Sequence, residues 1–549
     1  MKNGFHILPA SRACRNFLAC KCVAALCLAA AAGAAPAGQR HPPPAPALEH
    51  REFDAMLEAA FQPPATGKNR TFIVHFTLPG AIAPHKVNWT LGLYRADGSL
   101  LRQWRGRHVL QGGSGQAVVH WHAPPALSAG IYQLRLQAGN ILQHRPVAVG
   151  KPLPLLPASA ALDGAGMAAP ARIDGLGFDI VYGNLHSQTN HSDGGGDPAS
   201  CRGAQAPRSG AFGPDDAYRF AQQHGLQFLL VSEHNHMYDA SDGSDPHADP
   251  LAARQLYRLG IASAEQYSTG HPGFVAMYGL EWGVISGGGH LNILNSPALL
   301  GWERSANGEP FADVVTPKNN YAALYAVMKE QGWLGQFNHP GARQFPIDGV
   351  PLAFSEDGGA AMALCEVMNS NAFSKRLDEG ETRHSFYEEA CDKLLEAGYR
   401  LAFSSNQDNH CANWGAAYSN RTGILLPAAA APTAEALLDA IRARHVFATM
   451  DKQSAIALTA NGTMMGARID NSGPLTLQVH YTSSTGRGIA ALDIMEGVPG
   501  RHGEVKPVRG VNGMQHSFTP QPGAHFYYAR LTQDDGKQLW SAPVWVNQR

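Results

Sequence analysis

No basic tract with interleaved aromatic residues occurs anywhere in the 549 residues, which argues against nucleic acid as a main partner. Charge of any kind is sparse: 16% of residues are charged and 44% hydrophobic, a composition that fits a globular protein with ample core and not a disordered chain. Beyond the N-terminal segment no apolar stretch approaches the length of a membrane span, so no stable membrane insertion is expected. A nucleophile elbow, a Ser/His/Asp arrangement and a Gly-rich phosphate loop followed by Lys-Ser/Thr are not evident, which leaves serine hydrolases and P-loop enzymes without a motif. Cysteine is scarce as well. Cys14, Cys20, Cys22 and Cys27 lie in the N-terminal segment, leaving Cys201, Cys365, Cys391 and Cys411.

The N-terminus has the layout of a secretory signal peptide over 1–37. Lys2, Arg12, Arg15 and Lys21 precede an apolar segment at 22–34, and small residues follow it. Its removal takes four basic and no acidic residues, so Lys+Arg falls from 43 to 39 against 44 acids, a formal charge of −5. The mature protein is expected to be exported, to the periplasm or beyond. That compartment permits disulfides. Four cysteines allow three connectivities, and the sequence does not choose among them. Cys201 and Cys411 both follow candidate ligand loops, so a bridge near the site mouth and buried free thiols stand as equal alternatives.

The length predicts two or three domains. Residues 38–68 read as a flexible segment, with a short helix over 49–61. Four β-branched and aromatic runs, at 70–78, 87–94, 117–122 and 131–136, predict an N-terminal β-sandwich over 69–150. On those strands His75, His120 and His122 read as surface or packing residues. A Pro/Ala/Gly-rich linker spans 151–172. Strand and helix alternate over 173–450, with helical periodicity at 213–224, 319–332, 385–398 and 433–444. A second β-sandwich is expected over 451–549, with a hairpin turn at 533–536.

The central segment carries the chemistry. A buried-strand run at 178–182 leads into GNLHSQTNHSDGGG at 183–196. The same grammar recurs in FLLVSEHNH (228–236), AMYGLEWG (276–283), GGHLNIL (288–294), GQFNHPG (335–341) and FSSNQDNH (403–410). Each is a short apolar run bearing His, Glu or Asp at its end. A single histidine in a soluble protein is usually structural; strand-end motifs repeated through one domain argue for a multinuclear metal centre. Neutral imidazole suits Zn, Mn or Fe, and a carboxylate can bridge two such ions.

Together, LHSQT…SDG, SEHN, GLEW, GHLNI, NHPG and QDNH resemble the polymerase and histidinol phosphatase (PHP) family. AIRARHVFATM, NGTMMG and the C-terminal segment resemble its exported, carbaryl-hydrolase-like branch. The resemblance runs from about residue 179 to the C-terminus and leaves the N-terminal sandwich uncovered. It implies a distorted (β/α)7 barrel and two or three divalent ions (Zn, Mn or Fe). On the matching positions it makes His186 a first-motif ligand, Glu281 the bridging carboxylate, and His290 and His339 the imidazoles of the neighbouring ion. His234 and His410 fall to a further ion and Asp408 near the first. Glu233 stands where the family often has Asp. Asp193 is either a ligand or a loop cap. The usual His-x-His is here His186-Ser187-Gln188, so one ion binds weakly, or His191 compensates, or that ion is harder, such as Mn.

The expected activity is an exported metal-dependent hydrolase that uses metal-activated water on a small-molecule substrate, first of all a phosphoester, with Glu281, Asp408 and Arg343 as the catalytic residues. Arg343 after the NHPG turn, with Lys375 and Arg376, would pair with a phosphate and favour a phosphoester. An apolar, aromatic mouth would favour a carboxylic ester, carbamate or amide. A degenerate metal- or ligand-binding protein is the alternative of another class. His236 is an outer-sphere acid or base, or a surface residue.

Overall fold

The structure is a computed structural model that describes residues 53–63, 69–78, 83–124, 126–139, 141–150, 171–285, 288–511 and 513–549. The expected signal peptide and residues 151–170 of the expected linker lie outside the described residues. All the described residues belong to one compact unit, 46–549.

Seven antiparallel strands near the N-terminus form two sheets over one apolar core. Asp54–Ala59, Asn69–Thr77 and Ser114–His122 make one sheet; Leu100–Leu110, His85–Tyr94, Gly130–Ala138 and Ile141–Val149 make the other. Period-two alternation sends Phe72, Val74 and Phe76 inward from one sheet to meet Leu91, Leu93, Leu134 and Leu136 from the other. The segment expected as flexible, with a helix at 49–61, instead supplies the edge strand Asp54–Ala59. It is held in part by the buried Arg70 guanidinium, which donates to the carbonyls of Ala60 and Phe61 just beyond it and to that of Ala148.

The expected distorted (β/α)7 barrel is not what the chain forms. Strand accounts for 41% against 15% helix. The central strands belong to a mixed, 16-stranded sheet that runs on into the C-terminal region. Phe178–Asn184, Phe228–His234 and Val275–Trp282 lie side by side in parallel. Leu291–Ile293 is antiparallel to both its neighbours, Val275–Trp282 and Gly335–Phe337. Arg421–Pro427 is antiparallel to Phe178–Asn184 and to Val446–Thr449. Ala402–Asn406 makes a ladder with Met362–Ser370 alone. Apolar runs reveal that a segment is a buried strand but not which way it runs against its neighbour, and direction is what separates this sheet from a ring of parallel strand–helix units.

At residue 450 the sheet does not stop. Val446–Thr449 pairs with Gln538–Ser541, which hairpins against Gly523–Gln533. A further four-stranded sheet built on Ser454–Ala460 and Leu475–Ser483 shares its apolar core with the inner strands of the central region.

The helices at Pro214–Gln223, Tyr321–Gln331, Glu388–Ala397 and Ala434–Arg442 fall where periodicity predicts them. Asn320 and Thr433 cap two of them by accepting from the amides of Ala323 and Ala436, and Gly332 closes one in the left-handed region at φ 68°. The longest helix, Pro250–Gly270, has no counterpart in the sequence reading. Much of its buried stripe is small, with Ala253, Gly260 and Ala264, so the apolar period is faint. A Cβ on Gly260 would stand 2.0 Å from the Tyr278 ring.

Candidate metal centre

Glu281 sits at the centre of a buried cluster at the C-terminal ends of the parallel strands. It lies on Val275–Trp282, in register with His234 on one side and Asn292 on the other. One carboxylate oxygen, Oε1, is 3.0 Å from His290 Nδ1 and 3.3 Å from His339 Nε2, and accepts from Asn338 Nδ2 at 3.0 Å. The other, Oε2, is 2.9 Å from His186 Nε2 and 3.4 Å from His234 Nε2, and accepts from Gln188 Nε2 at 2.5 Å. Four imidazoles thus surround the two oxygens of one carboxylate.

Three ligand triplets emerge, each with its donor atoms within 4.8 Å of one another: His186, Glu281 and His339; His234, Glu281 and His290; Asp193, His234 and His410. Asp408 joins the first through His186 Nε2 at 3.1 Å. Asp193 Oδ2 stands 3.5 Å from His410 Nε2, and Oδ1 3.9 Å from His234 Nε2.

Two loops are knitted together to place these groups. The Asp408 amide donates to the His186 carbonyl at 2.9 Å, Gln188 N to Asn409 O at 3.0 Å, and Gly196 N to His410 O at 3.1 Å. The Cys201–Cys411 disulfide ties the far end of the first loop to the second, and Cys365–Cys391 forms the other bridge. His339 at φ 28° and Asp408 at φ 52° are both held at positive φ, the kind of local strain that collects at functional sites. Gly289, at φ 107°, turns the chain into His290 where a Cβ would meet Gln344 at 2.9 Å.

The electrostatics follow from burial. Burial pushes the His186 imidazole down, but Asp408, Glu281 and Glu366 outweigh it and hold it well above the ordinary histidine range. Burial pushes Glu281 up, and His186, His234 and His290 overcome that to hold it well below the carboxylate range. Asp408 is raised to about 6 by burial, against the opposing pull of His186 and His410. His410 reaches about 10 because Asp193 overcomes its burial. Such a density of buried carboxylate and imidazole is costly unless it serves a ligand.

The residues fit divalent ions. Imidazole and carboxylate donors converge in triplets, and Gln188 Oε1 is buried with no hydrogen-bond partner among the described residues. His186, Gln188, Asp193, His234, Glu281, His290, His339, Asp408 and His410 are all brought together.

Two expected residues are not. Glu233 faces away from the cluster, its oxygens taken by the Thr189 amide and hydroxyl and the Ser192 hydroxyl, and burial raises it to about 7. Strand alternation explains this: if His234 points into the cluster, its neighbour points out. Arg343 is exposed and does not line the cavity over the cluster. Lys375 and Arg376 lie on a separate rim loop. His191 points away from the cluster, to the Tyr278 hydroxyl at 2.6 Å, and so does not stand in for the missing imidazole.

One contributor escaped the sequence reading. Glu366, on Met362–Ser370, approaches His186 Nδ1 at 3.2 Å and accepts from the His339 amide at 2.8 Å and from Asn406 Nδ2 at 3.0 Å. It orients two ligands without being one, and leaves His186 Nε2 toward Glu281 and Asp408. A fully buried glutamate inside the apolar run MALCEVMNS was the signal available.

No family model matches the chain. Over 132 residues it is 28% identical to an uncharacterised protein of Chlamydia pneumoniae, spanning 21% of each, so the chain aligns with about a fifth of that relative's length. Among solved structures it is similar to a β-glucuronidase of Parabacteroides merdae, at 11% identity and a TM-score of 0.17, over 91% of this chain and 64% of that one. A putative β-galactosidase of Bacteroides fragilis gives 11% identity and a TM-score of 0.14, over 90% and 73%. Likeness at these scores carries no argument about chemistry.

Proposed function

We propose that this protein is an exported metal-dependent hydrolase acting on a small uncharged molecule through a carboxylic ester, carbamate or amide bond. The observation that carries the reading is Glu281, shared between two ligand triplets on the floor of a cavity of about 170 Å³. Divalent ions held there supply Lewis acidity toward water and toward the attacked carbonyl. His186, His290 and His339 would hold the ions through their ring nitrogens, and Glu281 would supply negative charge between the two triplets. Asp408, 3.1 Å from His186 Nε2, would complete the first ligand set. The resemblance of the ligand motifs to the PHP family supports the metal chemistry; the barrel that family implies does not accompany it.

The phosphoester reading relied on Arg343, which stands off the cavity. Lys393 is the one Lys or Arg that lines it, and its ammonium is paired with Glu389 at 2.9 Å. Among the described residues those walls offer a phosphate no other Lys or Arg, so the floor alone would have to hold it. Two disulfides support export.

The test is metal analysis of protein purified without added metal, followed by hydrolysis of p-nitrophenyl phosphate and p-nitrophenyl esters with Zn, Mn or Fe restored. Bound divalent metal and metal-dependent ester cleavage are expected. Protein that binds no divalent ion, or binds it and hydrolyses neither class, would sink the reading; the second result would favour a binding protein.

A further inference from the structure

The cavity over the cluster is not built by the central region alone. Phe53, Met56 and Thr77 from one sheet of the N-terminal sandwich, and Ile141 and Leu142 from the other, form one of its walls. The floor is the ligand cluster, with His234, Glu281, His339 and Asp408 among the lining groups. Ile285, Phe373 and Tyr387 line the central region's side. Asp54 lines the same side, so the sandwich faces the polar floor with a mostly apolar wall that carries one carboxylate.

This placement is specific. Gln143, next to Leu142, is buried, and its Oε1 accepts from the Phe386 amide at 2.6 Å. The Arg145 guanidinium lies 5.4 Å from the Phe386 ring centroid, and His144 Nε2 is 3.5 Å from Glu389. Three successive residues of the strand Ile141–Val149 therefore grip the central region at the cavity's edge. A buried amide bonded across the junction fixes register in a way that apolar contact does not.

We propose that the N-terminal sandwich is the specificity wall of this site, and that Met56 and Leu142 select substrates carrying a short alkyl or aryl group beside the bond that is cut. The proposal rests on the hydrolase reading for its reaction but on the wall alone for its binding. A cavity of about 170 Å³ has room for a small molecule. Beside Met56 and Leu142 it favours an uncharged group, because an ion pressed against those two side chains would lose hydration without a partner there.

The experiment uses the full chain. Leu142 is partly exposed, so Leu142→Asp puts a charge on the wall without filling a core position. We expect kcat/KM for p-nitrophenyl hexanoate to fall by about tenfold or more relative to that for p-nitrophenyl acetate. Met56→Ala, which truncates without adding charge, should shift the same ratio by a smaller factor. Val118→Asp, on an exposed position of the sandwich, should leave the ratio unchanged. In parallel, calorimetric titration of metal-stripped protein with N-phenylbutanamide reads the wall without turnover, and Leu142→Asp should weaken that binding by about tenfold. If the wild-type protein hydrolyses neither ester, the hydrolase reading fails and the anilide titration still decides the wall. An unchanged hexanoate-to-acetate ratio in both wall variants, or no measurable anilide binding by the wild-type protein, would overturn the proposal.

Discussion

The N-terminal sandwich and the central region bury opposite kinds of surface. The sandwich core is Phe72, Val74, Phe76, Leu91, Leu93 and their neighbours, all apolar and out of contact with water. The central region buries His186, Asp193, Glu281, His290, Asn292, Asn338 and Glu366 as fully, and all of them are polar. Apolar burial stabilises by roughly 1.5–3 kcal/mol per large side chain. Buried ionisable clusters at best break even, and are retained for what they bind. One region holds itself together, and the other buries the groups for which ions are proposed.

The comparison breaks if the ions are not what the central cluster serves. Glu281→Gln keeps the side chain's shape and removes the charge shared by two triplets. We expect metal content after dialysis to fall to background and hydrolysis to drop by at least about a hundredfold. Amide hydrogen exchange should quicken around the ligand loops, with protection in the sandwich strands unchanged. Full metal content in Glu281→Gln would remove the bridging assignment. The converse is Leu91→Ala in the sandwich, which should cost about 2–5 kcal/mol by denaturant unfolding and leave metal stoichiometry alone.

The two disulfides sharpen the contrast within the central region. Cys201–Cys411 closes a sequence separation of 210 residues, Cys365–Cys391 one of 26. Chain entropy alone assigns about 5 kcal/mol to the first and about 3.5 kcal/mol to the second. The first also fastens the loop bearing Asp193 to the loop bearing His410. The double variant Cys201→Ser/Cys411→Ser should therefore lose more stability than Cys365→Ser/Cys391→Ser, measured by unfolding of metal-free protein. Equal losses would show that the first bridge adds nothing to the loops it joins.

Glu366→Gln tests the same cluster one step out. The carboxamide retains the volume but weakens the hold on His186 Nδ1 and on the His339 amide. Metal affinity should fall about 10–100-fold, with stoichiometry intact at saturating metal. An unchanged affinity would mean that the sheet alone orients His186.

Much of the site was legible because ligand residue types stand at the ends of apolar runs, where strands deliver them to one edge. His186, His234, Glu281, His290, His339, Asp408 and His410 were all found this way. Glu366 was not, because it lies inside a run and not at its end. Glu233 was misassigned although period-two alternation beside His234 argued against it. Arg343 followed a ligand turn, and proximity in sequence did not become proximity in space. The sandwich strands were legible from their β-branched and aromatic alternation; the sheet order of the central region was not. One direction reversal rests on the three-residue strand Leu291–Ile293, too short to carry a period, and the other on Arg421–Pro427, whose apolar run does not fix its direction.

The smallest expected effect belongs to Gln188, where this chain departs from the paired histidines of the motif it resembles. The side chain does reach the cluster: its Nε2 donates to Glu281 Oε2 at 2.5 Å, while Oε1 is buried without a hydrogen-bond partner among the described residues. An amide oxygen is a hard, neutral donor, suited to Mn more than to Zn, whereas imidazole suits Zn well. Space is tight, since a Cβ on Gly194 would stand 2.4 Å from the Gln188 carbonyl carbon, so the loop has little room to rearrange around a new ring. Gln188→His should then raise affinity for Zn relative to Mn by about tenfold, read by competition titration of the two ions on the metal-stripped protein. Activity is not the readout, because a tighter Zn site need not be a faster one. A Zn-to-Mn preference identical to that of the wild-type chain would mean that position 188 only hydrogen-bonds to the bridging carboxylate and never meets an ion. The choice of metal would then rest with His186, His339 and Asp408 alone.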